Sequence, residues 1–104
     1  MPRYLVELQY TVDRAGRQPL HPAHADNLHR LAEEGVLLLA GPLTGENAGI
    51  LLYEADDREH LQRLLDEEPY VEGGIVARTR VREWAPGKGS WITGSSRPAR
   101  SVGA

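Results

Sequence analysis

VLLLAGPLTGENAGILLYEA, residues 36–55, holds two short apolar runs on either side of a glycine-containing loop. Runs this short, closed off by Pro, Gly and Asn, read as strands rather than helices. A loop of this length can join antiparallel neighbours but is too short for a parallel crossover. The stretch is therefore a pair of antiparallel strands, VLLLAG and ILLYEA, and the fold follows from what flanks it.

Upstream, leucines recur through ADNLHRLAEEG, with Pro22 where a first-turn proline is tolerated and Gly35 as the stop. This predicts a helix. Downstream, Asp56 and Glu59 have the spacing of a capping box, and Leu61, Leu64 and Leu65 mark the buried stripe of a second helix. Pro69 forces the chain out of that helix by Glu67 or Glu68. The outermost segments alternate with period two. In YLVELQY, Tyr4, Val6, Leu8 and Tyr10 share a face. In IVARTRVREW, residues 75–84, Ile75, Ala77, Thr79 and Val81 oppose Val76, Arg78, Arg80, Arg82 and Trp84. DRAGRQ, residues 13–18, reads as a turn.

The order β-α-β-β-α-β describes an α+β, ferredoxin-like sandwich, a four-stranded antiparallel sheet with two helices on one face. The middle strands are apolar on both sides, yet the helices cover one side only. The other face is expected to be buried in a homodimer. The domain is expected to span residues 1–86. Residues 87–104, rich in Gly, Ser and Pro, read as a C-terminal extension with Trp91 as its one candidate anchor.

Composition limits the function. The chain has 104 residues, 40% hydrophobic and 26% charged, with a net charge of -3 and a pI near 5.8. No run of Lys or Arg offers a footprint for nucleic acid. With no cysteine, disulfides, thiolate metal sites and thiol nucleophiles are excluded. No segment has the length and apolarity of a membrane span, and the first strand begins where a leader would lie, so a cytoplasmic protein is expected. There is no G-x-S-x-G elbow, and GENAG lacks the spacing of a phosphate-binding loop.

Four histidines remain to be explained. At 100° per residue, His24 lies in the same stripe as Leu28 and Leu31 and faces the sheet. His21 stands at its border, and His29 and His60 fall outside the stripes. His24 is either a core imidazole satisfied by a carbonyl or half of a proton-transfer pair. A metal site at His21 and His24 lacks a third ligand, so no metal is expected. Glu68, seven residues after Leu61, is either a solvated acid at a helix end or the partner of His24 in the space between the two helices. Arg78, Arg80 and Arg82 either receive an anion or guard a sheet edge, and the guard is favoured. Tyr4, Tyr10, Tyr53 and Tyr70 either shape a pocket or fill the core. Of these, Tyr10, Tyr70, His21 and Arg78 are the candidate substrate-binding residues.

HPAHADNLHRLAEEGVLLLAGPL together with EEPYVEGGIVARTRVREW resembles the YCII-related proteins, whose pattern is R-P-A-H, then E-G-x-L-L-x-A-G-P, then D-P-Y before the last strand. The resemblance spans residues 4–84. It implies a dimeric α+β barrel and cofactor-free chemistry on small cyclic, aromatic or polyketide-like compounds, in degradation or secondary metabolism. It also implies a site at His24, which matches the motif histidine, and at Glu68, which stands where the family has aspartate. His21 replaces the family's arginine. The expected function is a lyase or isomerase using His24 and Glu68 as an acid–base pair on a small-molecule ligand. The alternative is a non-catalytic ligand-binding dimer.

Overall fold

The computed structural model describes residues 1–92. Its strands are β1 (Arg3–Tyr10), β2 (Leu37–Pro42), β3 (Ala48–Glu54) and β4 (Val76–Glu83), and its helices are α1 (Arg14–Arg17), α2 (His21–Glu33), α3 (Arg58–Asp66) and α4 (Pro69–Glu72). A 3-10 turn, Gln18–Leu20, links α1 to α2. The four strands form one antiparallel sheet in the order β2-β3-β1-β4. This is the ferredoxin-like α+β arrangement.

Alternation along β1 decides which face is covered. Tyr4, Val6 and Leu8 are buried under the helices with Leu51 and Tyr53 of β3, Leu31 of α2, and Leu61 and Leu65 of α3. Each large apolar side chain so enclosed stabilises the fold by roughly 2 kcal/mol. By register, the opposite face carries Leu5, Leu39 and Leu52 in one row and Glu7, Ile50 and Arg80 in the next. Leu39 is 48% exposed there, and Leu38 and Trp84 are also open.

Several details depart from the sequence reading. DRAGRQ is not simply a turn, because the Asp13 side chain accepts from Gly16 N at 2.9 Å and starts α1. The α3 cap is Asp57, which accepts from His60 N at 2.7 Å. Asp56 instead donates its backbone N–H to His60 Nδ1. Val76 joins the helix-covered face, because a register shift after Gln9 sets it opposite Tyr10 and leaves Ala77 out of step. Trp91 is no anchor. It is 79% exposed, although Pro86 and Ile92 beside it are half-buried along a groove with Leu38, Leu39 and Leu52. The remainder of the extension lies outside the described residues. Among these, no helix is long and apolar enough to cross a membrane.

Candidate functional site

Pro69 builds the site. It holds Glu68 out of the helical region, at φ -69° and ψ 124°, and its own ring suits the first position of a helix, so the chain leaves α3 and restarts as α4. Glu68 is thereby the N-cap of α4. Its Oε2 accepts from Tyr70 N at 2.7 Å and from Val71 N at 3.3 Å. Its other oxygen, Oε1, pairs with His24 Nδ1. Glu68 is completely buried, the one charged side chain in the core of the described residues. A buried carboxylate is costly without partners, and here both oxygens have them.

The pairing sets the imidazole. A carboxylate only accepts, so the shared hydrogen belongs to Nδ1 and the neutral ring carries its lone pair on Nε2. The ring is held in place on its face as well, stacked on Tyr70 with centroids 3.8 Å apart and planes 8° from parallel. Tyr10 meets Tyr70 edge-on at 5.5 Å. These side chains wall a cavity of about 500 Å³, closed on the sheet side by β2 and β3 residues including Gly41, Gly49 and Leu51. Gly49 has a steric reason to be glycine: a Cβ there would stand 2.7 Å from the Tyr10 hydroxyl, which occupies the space.

The four tyrosines divide cleanly. Tyr4 and Tyr53 are core, while Tyr10 and Tyr70 line the cavity. Burial raises the pKa of Tyr10 and Tyr70, opposed by the positive charge of Arg17. Burial also raises Tyr53, and the negative charge of Glu68 adds to it. All three hydroxyls therefore keep their hydrogen at neutral pH.

A stability consequence follows from these shifts. Below pH 10 the folded and unfolded chains both hold the phenolic protons. Above it the unfolded chain releases them first, and each retained proton lowers stability by about 1.4 kcal/mol per pH unit. Urea unfolding between pH 9 and 11 should show stability falling as pH rises. Tyr53→Phe should flatten that fall without weakening the fold at pH 7, because the buried Tyr53 hydroxyl has no hydrogen-bond partner among the described residues.

The remaining sequence candidates are divided between rim and far face. His21 is exposed at the cavity rim, its ring centroid 6.1 Å from that of His24. Arg78 is not brought to the cavity. It pairs in register with Gln9 on the sheet face away from the helices, on the edge strand β4. No three His, Cys, Asp or Glu side chains gather in metal-binding geometry among the described residues. The sequence reading missed Arg14 and Arg17, which line the cavity. The available signal was their spacing, since residues 14, 17, 21 and 24 share one face once a helical path runs through the segment.

Residues 3–85 match the family model of the YCII-related domain. The chain belongs to the YCII-related family. Proteins named YciI from Escherichia coli O6:H1 and Shigella flexneri are each 30% identical to it over 87 residues, covering 70% of this chain and 89% of theirs. Among solved structures, it is similar to the 5-chloro-2-hydroxyhydroquinone dehydrochlorinase of Burkholderia phenoliruptrix AC1100, solved with 2,5-dihydroxybenzoquinone. That TM-score is 0.72 at 20% identity, over 82% of this chain and 95% of the other. A protein of Agrobacterium tumefaciens aligns at a TM-score of 0.52 and 10% identity, over 85% and 95% of the two chains. The ferredoxin-like fold of this YCII-related chain is thus shared with these solved structures.

Proposed function

We propose that this YCII-related protein is a cofactor-free lyase or isomerase acting on a small cyclic or aromatic compound, with His24 transferring the proton and Glu68 orienting it. The observation that carries this reading is the buried Glu68 carboxylate, fixed by two backbone N–H groups and paired with an imidazole on a cavity wall. A histidine whose Nδ1 is held by an acid presents Nε2 as a base, the division of labour found in catalytic triads. Nε2 takes a proton from a carbon beside a carbonyl or from a ring hydroxyl. The electron pair left behind either expels a leaving group, completing an elimination, or is reprotonated at another atom, completing an isomerisation. We assign the Tyr10 and Tyr70 hydroxyls, which line the same cavity, as donors to the enolate oxygen formed in between. The dehydrochlorinase of similar fold, an enzyme of a chlorinated hydroxyhydroquinone, supports the substrate class. Incubating the protein in D₂O with small phenols and enol acids tests the reading. Deuterium should enter at an acidic position with wild type. Incorporation at the same rate with His24→Ala would overturn it.

We also propose a homodimer through the sheet face that carries Leu5, Leu39 and Leu52. Light scattering after size exclusion should give twice the 11.5 kDa of one chain. Leu39→Lys, placing a charge on a half-exposed position of that face, should shift the mass toward one chain. A wild-type monomer at micromolar concentration would sink the idea.

A further inference from the structure

The cavity is electropositive in a protein of net charge -3. Arg14, Arg17, His21 and His24 line it, and no aspartate or glutamate does. His24 has Glu68 as its counter-charge and Arg14 is exposed at the rim. Arg17 is different. It is half-buried, and among the described residues no carboxylate lies within ion-pair distance of it.

Arg17 is also held in place. Its Nη1 donates to Val12 O at 3.1 Å and to Asn47 Oδ1 at 2.5 Å, which occupies both hydrogens of that nitrogen. Asn47 is itself fixed by donating to Tyr10 O at 3.3 Å and Val12 O at 2.9 Å. The guanidinium carbon sits 4.4 Å from the centroid of the Tyr10 ring. With Nη1 committed, Nη2 and Nε are the remaining donors, and this edge of the guanidinium also serves the Tyr70 hydroxyl on the cavity wall. A preorganised guanidinium with donor capacity left beside a phenol hydroxyl suits an oxyanion, which it can meet with charge-assisted N–H bonds. The same cavity is also lined by Ala40, Pro42 and Leu51, apolar side chains that suit the face of a ring.

We propose that Arg17 is the anion-binding residue of this cavity and that its ligand is a ring compound bearing an exocyclic oxyanion, a carboxylate or an ionised phenol. The proposal rests on the cavity being the substrate site, and it extends that reading to the charge of the substrate.

Titration calorimetry with benzoate against benzamide, and with 4-nitrophenolate against 4-nitroanisole, tests it with near-isosteric charged and neutral rings. Wild type should bind at least one anion about tenfold more tightly than its neutral partner. Arg17→Gln should bring that preference to within about twofold. If neither anion is preferred, if no ring binds at millimolar concentration, or if Arg17→Gln keeps the preference, the proposal is overturned. Should Arg17→Gln fail to fold, the Arg17 Nε–H resonance of wild type decides: it should move with the preferred anion and not with its neutral partner, and a stationary resonance overturns the assignment. Glu68→Gln separates this from the catalytic reading, since it should stop deuterium incorporation while the anion preference survives.

Discussion

Glu68→Gln should lose about 10²–10⁴-fold in turnover while the protein stays folded. The glutamine carbonyl can still accept from Tyr70 N and Val71 N, so the start of α4 keeps its cap. Its amide, however, turns a donor toward His24 Nδ1. The imidazole must then accept at Nδ1 and carry its hydrogen on Nε2, which leaves no lone pair facing the substrate. His24→Ala should cost a similar factor, and the double mutant should be scarcely slower than either, because residues that act as one unit are strongly non-additive. Glu68→Asp restores the acid common in the family at a shorter reach and should keep part of the rate. Steady-state kinetics on whichever ring compound shows exchange reads all four, and additive losses in the double mutant would separate the two residues' roles.

Glu68→Leu should be far more damaging to the fold. Leucine fits the volume but accepts nothing, so two backbone N–H groups and the His24 Nδ1–H lose their acceptor in a buried place. Each such loss costs about 1–3 kcal/mol where water cannot replace the partner, and a lost cap alone about 1 kcal/mol. A total near 3 kcal/mol would lower Tm by roughly 12–24 °C in a domain of this size. Thermal unfolding followed by circular dichroism would measure it. A shift of only a few degrees would mean that water enters and satisfies these groups.

Much of this was readable from the residues. The period-two runs at 4–10 and 76–83 and the leucine stripes of α2 and α3 carry their own geometry, because burial on one face imposes it. The position of His24 in the Leu28 and Leu31 stripe needed only the helical period. What escaped was set by single residues or by tertiary contacts. Four-residue α1 is too short to show a period, so Arg14 and Arg17 read as turn residues, and their place at the cavity depends on α1 running on into α2. The one-residue slip in β4 left no mark in an alternating pattern, yet it moved Val76 to the core side. Glu68 was read as the end of a helix when it begins the next one. Pro69 gave the break, but proline ends one helix and opens another equally well, and only the bonds of the Glu68 carboxylate reveal which.

Because one carboxylate both starts α4 and holds the imidazole, this wall of the cavity has little freedom to evolve. A change at residue 68 that altered the chemistry would also have to preserve a structural support, and few side chains can do both. The rim is under no such restriction. Residues 14 and 21 are exposed and carry no part of the core, so exchanges there can change which molecule is admitted while the machinery behind stays intact. On the proposed reading, diversification of substrates on this scaffold would be directed to the segment before the motif histidine, and a search for the natural ligand would gain more from comparing rims than from comparing dyads.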